Sequence, residues 1–190
     1  MSDARLKFKP KFDKIVEALL YIAHRKPGVD HYHACKLIYL ADREHLNRYG
    51  RPMAADRHLA MQWGPVASKA LELLKRERKA LAEAGIEDLP FETEVLDRVI
   101  HIAGPRRAVN KELFSRSDLR VLDEVIDGYA HRPFTELHDL TAEHFAYRRA
   151  WGEKPEGAKQ AEMSYDDILD ERADKDAIIE DLAPVSRYMR

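Results

Sequence analysis

The sequence predicts a mostly α (α+β) protein: a helical domain around a buried central helix, with one small antiparallel β-hairpin. Three observations predict it. Of 190 residues, 35% are charged and 45% hydrophobic, a charged fraction above the usual quarter that suits helices with ionic outer faces. Apolar residues recur at helical spacing at Phe12, Ile15, Val16, Leu19 and Ile22, and again at Ala34, Leu37, Ile38 and Ala41. Near residue 93 the period changes to a β-branched, partly alternating one. A chain of this length buries a sizeable core.

The first helix follows Pro10 and stops at Lys26-Pro27-Gly28. Asp30 is placed to cap a second helix, because its carboxylate can accept the free backbone N–H groups of the first turn. Cys35, Tyr39, His45 and Leu46 widen the apolar band of that helix, which predicts burial on more than one side. Gly50 can take the left-handed conformation that ends it, and Arg51-Pro52 prevents its resumption. Residues 53–63 read as extended or irregular. Gly64-Pro65 reads as the opening of a third helix, with Pro65 at its first position; Val66, Ala70, Leu73, Leu74 and Leu81 form its inner stripe and Lys75 to Lys79 its wet face. Thr93–Leu96 and Val99–Ile102 form the hairpin near 93–103, around Asp97-Arg98. Ser115 to Asp118 resembles a capping box, opening a helix that ends before Pro133. One or two shorter helices fit Thr135 to Trp151, and short ones fit the surroundings of Ile168 and Ile178. The helical domain, hairpin included, is assigned to 1–152, and an acidic C-terminal extension packed on the same domain to 153–190.

The net charge of −2 conceals a gradient: residues 1–80 carry +8, residues 153–183 carry −7, and Arg187 and Arg190 follow. A basic front half suits an acidic partner, and the chain's own tail is the simplest one. No apolar run approaches the roughly 20 residues needed to cross a bilayer, which excludes a membrane-spanning protein. A polar, charged amino terminus excludes a secretory signal, and a single cysteine suits a reducing cytoplasm.

Few constellations promise chemistry. His31, His33 and Cys35 are zinc-ligand types within five residues. On a helix only His31 and Cys35 converge, and no CxxC or HExxH supplies further ligands. The plainer reading is a helix start with exposed histidines and a buried thiol. Cys35 as a nucleophile would need a base and an activating environment. Neither a Walker loop nor a GxGxxG motif is present, and the paired acids from Asp166 to Asp174 lack the spacing of an EF-hand. No cofactor, metal or enzymatic activity is expected. Lys7, Lys9, Lys11 and Lys14 interleave with Phe8 and Phe12, and with Lys75 to Lys79 they keep open a second reading, a nucleic-acid-binding regulator using the basic N-terminal half.

Lys36-Leu37-Ile38-Tyr39-Leu40-Ala41-Asp42 is followed by Tyr49-Gly50-Arg51-Pro52, Asp56, and Ala60-Met61-Gln62-Trp63-Gly64-Pro65-Val66. Further on come Phe114-Ser115, Ser117-Asp118, Leu122 and Val125-Ile126, with Trp151 where a closing tryptophan is usual. In these features the chain resembles the Panacea domain, the SocA-like antitoxin family, over roughly residues 12–170. It departs from the pattern where relatives often carry a Ser-His pair, reading Thr141-Ala142-Glu143-His144 instead. The resemblance implies binding rather than catalysis: an antitoxin of bacteria or their phages that neutralises a cognate protein toxin, encoded by an adjacent gene, through direct contact. It also implies two routes, masking of the toxin or its delivery to a cellular protease. Asp42, Arg51, Asp56 and Trp63 surround the irregular segment, where binding residues collect, and are the candidates for partner contact. The structural alternative is that Asp42 and Arg51 pair, pinning this segment to the central helix.

Overall fold

A computed structural model describes residues 5–189; Arg190, the last cation of the charge gradient, lies outside the described residues. Helix α1 (Phe12–Arg25) and helix α2 (His31–Tyr49) pack at the centre. The cap at Asp30 forms as expected, its carboxylate accepting from the His33 amide at 2.9 Å, and Gly50 closes α2 with φ 72°. Helix α2 buries Leu37, Ile38, Tyr39, Leu40 and Ala41 in succession, so neighbours cover it on several sides. An apolar helix in that position is the scaffold against which the rest is placed.

The segment after α2 departs from the expectation. Gly64-Pro65 does not open a helix. Strands β1 (His58–Met61) and β2 (Gly64–Ala67) form a tight antiparallel hairpin, and the helix α3 (Ser68–Leu74) begins only after it. Gly64 has φ +95°, outside right-handed helical space, and Pro65 lies on an edge strand, where its missing N–H is tolerated. The expected long third helix is also broken. Arg76 takes φ 54° between α3 and α4 (Arg78–Ala84), and its guanidinium is held by Asp88 and Thr93, each at 2.7 Å.

Strands β3 (Phe91–Leu96) and β4 (Val99–Pro105) form the second hairpin. Its turn residues Asp97 and Arg98 both have positive φ, 49° and 67°, the type I′ geometry that matches strand twist even without glycine. Buried Phe91 and Ile102 fix its inner face. A 3₁₀ turn at Lys111–Leu113 leads to α5 (Arg116–Tyr129), and the capping box between Ser115 and Asp118 is formed. Two short helices follow, α6 (Phe134–Ala142) and α7 (Phe145–Gly152).

Beyond residue 152 the chain returns across the molecule. Strand β5 (Gln160–Glu162) pairs antiparallel with β1, giving the order β2-β1-β5. Helices α8 (Tyr165–Ile168) and α9 (Lys175–Ser186) complete the chain. The acidic residues meet the basic front: Asp170 pairs with Arg43 at 2.5 Å, Glu162 with Arg57 at 2.8 Å and Asp176 with Arg5 at 3.0 Å. Exposed pairs of this kind contribute about 0–1 kcal/mol each. Burial of Met163, Tyr165, Ile168, Leu169 and Ile179 holds the segment in place, at about 1.5–3 kcal/mol for each large apolar side chain. Among the described residues no helix is long and apolar enough to cross a membrane.

Candidate functional site

Two charged side chains of α2, Lys36 and Asp42, hold the first hairpin at its two ends. Asp42 is fully buried and accepts from five donors. Its Oδ1 receives the amides of Ala54 at 2.6 Å and Ala55 at 3.1 Å; its Oδ2 receives the Asp56 amide at 2.8 Å, His58 Nε2 at 2.9 Å and the Tyr165 hydroxyl at 3.2 Å. Burial alone would push this carboxyl up, but His58 and the amides outweigh it and hold it below the ordinary carboxylate value. At the other end Lys36 is 2% exposed, and its ammonium donates to the carbonyls of Trp63 at 2.7 Å and Pro65 at 3.3 Å. The ring of Phe134 lies 5.9 Å from Nζ. Burial without a carboxylate partner lowers its pKa to about 8. A Cβ on Gly64 would stand 2.5 Å from that ammonium, so glycine is required by close approach as well as by φ.

Asp56 takes the next step along the chain. It too is fully buried, and its two oxygens accept the Lys69 and Ala70 amides at 2.8 and 2.9 Å, fastening the start of α3. Burial pushes its carboxyl up to about 7, against the pull of the His58 charge and the two amides. Arg51 does not pair with Asp42. It lies 3.0 Å from Asp118, which Lys14 meets at 2.7 Å in the interior. Burial would raise the Asp118 carboxyl, but Lys14, the Ser115 amide and Arg51 bring it down to about 2. His45 Nδ1 donates to the Arg51 carbonyl at 2.7 Å and Nε2 accepts the Ser117 hydroxyl at 3.0 Å, joining α2 to the cap of α5.

The four candidate contact residues thus separate. Asp42 and Asp56 lie inside as anchors of the hairpin and of α3, and Arg51 is engaged with Asp118. Trp63 alone presents its side chain, 54% exposed at the hairpin turn. It overlooks a groove of about 700 Å³ between the start of α2, the end of α3 and the loop after α7, where Tyr32, Leu71, Lys75, Trp151 and Lys159 also line the walls. Lys36 forms part of its floor.

The other candidates are accounted for locally. His31 is buried and accepts the Ile100 amide, while His33 bridges Asp30 and the Arg132 carbonyl. The reading of these two as exposed therefore fails, because the second hairpin and Arg132 cover them. Burial raises the pKa of the Cys35 thiol well above its usual value, and among the described residues no group of three or more His, Cys, Asp or Glu could hold a metal ion. Phe8 packs edge-on against Tyr165, Phe12 lies against the core and Lys14 is internal, so these aromatics are not presented to bases. His144 accepts the Tyr39 hydroxyl at 3.0 Å; burial and the charges of Arg43 and Lys36 lower its pKa to about 4. The roles of Lys36, Asp118 and Tyr165 escaped the sequence reading. A lysine on the inward face of an apolar helix was the available signal for the first, since a buried ammonium must find acceptors.

No curated protein and no solved structure matches the chain. A family model does, that of the antitoxin SocA-like Panacea domain, over residues 35–146. The matched span runs from near the start of α2 into α7 and contains Lys36, Asp42, the first hairpin, Asp56 and Asp118, the residues that hold this region together. With more than half of its length matched, the chain belongs to the antitoxin SocA-like, Panacea domain family.

Proposed function

We propose that this protein is the antitoxin of a toxin–antitoxin pair, acting in the cytoplasm without catalysis by binding a cognate protein toxin encoded in an adjacent gene. Family membership is the observation that carries the reading. The internal chemistry is consistent with it. The perturbed groups Lys36, Asp42, Asp56, Asp118 and His144 are engaged by backbone carbonyls, backbone amides, ion pairs or a tyrosine hydroxyl. The basic front half, which keeps the nucleic-acid alternative open from sequence, is partly neutralised by the folded acidic tail.

The test is controlled expression of the adjacent gene with and without this chain, followed by purification through a tag on this chain. Restored growth with both proteins co-eluting at a fixed ratio is expected for neutralisation by masking. Restored growth with a toxin that disappears, and returns in a protease-deficient strain, identifies delivery to a protease instead. A harmful neighbour that this chain neither binds nor restrains refutes the proposal.

A further inference from the structure

We propose that the groove beside the first hairpin is a docking site for an acidic segment of a partner protein, one that carries an aromatic or branched apolar anchor. In naming the toxin as the source of that segment, the proposal rests on the antitoxin reading above.

Three observations meet at this place. The first is apolar. Trp63 is 54% and Tyr32 41% exposed, and with Trp151 and Leu71 they face one depression. Large exposed aromatics clustered around a concavity are the composition of interface centres, and such side chains carry much of the binding energy where they occur. The rings are also braced from behind: Tyr32 lies 5.6 Å from Phe134, Trp63 lies 6.2 Å from His138, and Trp151 stacks on Tyr147. A braced ring loses little freedom on binding.

The second observation is charge. The residues lining the groove include Lys36, Lys75 and Lys159 and no acid. Lys75 and Lys159 are exposed and, among the described residues, have no ion-pair partner. Elsewhere in the front half Arg5, Arg43 and Arg57 are answered by the tail. The tail gives this groove Lys159, while its carboxylates Glu162, Asp170 and Asp176 are engaged elsewhere, so the groove keeps a positive potential for an outside carboxylate.

The third observation separates a protein segment from a nucleic acid. The groove offers no arginine, and its third lysine is bound internally to two carbonyls. Two exposed ammonium groups support only a short phosphate track, whereas the apolar walls of Val66, Leu71 and Met61 match side chains better than a sugar–phosphate backbone.

The probe is a set of phage-displayed random dodecapeptides selected on the immobilised full chain. Three variants accompany it: Lys75→Glu with Lys159→Glu, Trp63→Ala, and the off-groove control Lys26→Glu with Lys79→Glu. All these side chains are exposed, and the hydrogen bond from Lys36 goes to the Trp63 carbonyl, which Trp63→Ala keeps, so thermal midpoints within error of the wild type show that each variant is folded. Selected peptides are expected to be rich in Asp and Glu around a Trp, Phe or Leu, and to be released by salt. The groove charge reversal should weaken them roughly 100-fold, since opposed like charges disfavour the complex, Trp63→Ala should weaken them about 30-fold, and the control should leave them unchanged. Peptides without acidic bias, equal binding to the reversed variant, or capture of a labelled single-stranded oligonucleotide at the groove in their place would overturn the proposal.

Co-expression with the adjacent gene separates the two claims. If the wild type restrains the toxin and the reversed variant does so equally, the groove is not the docking site and the antitoxin reading stands. If the wild type fails to restrain its neighbour while acidic peptides still select on the groove, the antitoxin reading falls and the docking site stands for another protein.

Discussion

Replacing Asp42 by asparagine changes almost no volume and removes one acceptor oxygen from the most heavily used side chain in the fold. In the native chain Oδ1 serves two amides, and Oδ2 serves one amide, His58 and Tyr165. An asparagine keeps one oxygen and turns an NH₂ toward the donors of the other: at the Oδ1 position it strands the amides of Ala54 and Ala55, and at the Oδ2 position it faces the Asp56 amide and His58 Nε2, while the Tyr165 hydroxyl keeps the Asp56 carbonyl at 2.7 Å. Each such donor costs about 1–3 kcal/mol, and the loss of charge weakens the bonds that remain. The expected destabilisation is about 3–5 kcal/mol, a large part of the roughly 5–15 kcal/mol typical of folded proteins. For a chain of this size that is a fall in Tm of about 10–15 °C. Urea unfolding at neutral pH measures the free energy, and hydrogen exchange at the amides of Ala54, Ala55 and Asp56 reports the site. Those three amides, just before the first hairpin, should exchange faster than in the native chain. A loss under about 1 kcal/mol, or unchanged exchange at these amides, would refute the view that this carboxylate fastens the hairpin to α2.

Gly64→Ala should cost about 2–3 kcal/mol in the same assay, because φ +95° disfavours any Cβ and the new methyl displaces the Lys36 ammonium from its two carbonyls; a neutral result would mean the hairpin relaxes freely. Asp118 is held down to about 2, below its unfolded value of about 3.9. Its contribution to stability is therefore complete above the unfolded value and is lost as pH falls from about 4 toward 2, amounting to about 2 kcal/mol; unfolding of Asp118→Asn followed across that window should show a flatter profile than the wild type. Cys35 is buried with a raised pKa, so a thiol reagent should label it only after unfolding, and rapid labelling of the native chain would show that this part of α2 opens.

The helices were legible because period and caps agree: Asp30 before α2, Gly50 after it, and Ser115 with Asp118 at α5. The second hairpin was legible from its β-branched run, although its turn works without glycine. Gly64-Pro65 misled because the pair is equally at home at a helix start, and the choice is made by Lys36, 27 residues before the carbonyl it binds. Strand β5 gave no signal: Gln160-Ala161-Glu162 is a strand only because β1 offers an edge. Asp42 and Asp56 were noticed as residues that ought to do something, and they do. They act on backbone amides rather than on Arg51, because several amides converge where one guanidinium was expected. The groove was invisible in sequence, since Tyr32, Trp63, Lys75 and Lys159 come from separate elements.

The hydroxyl of Tyr165 reaches a carboxylate 123 residues earlier in the chain, and β5 closes the sheet beside it. During synthesis, α1 and α2 can therefore emerge and meet while Asp42 still lacks one of its donors and β1 still shows an open edge. Such long-range closure is slow to form, and an uncovered strand edge invites pairing with other chains. The completed architecture waits until the chain has been translated past Tyr165. A ribosome that stops short of residue 160 releases a chain able to form α1 to α7 but unable to seal its sheet. For a protein whose proposed task is restraint of a toxin made alongside it, this couples competence to synthesis of residues 160–165: only molecules that carry them hold the hairpin in its final setting.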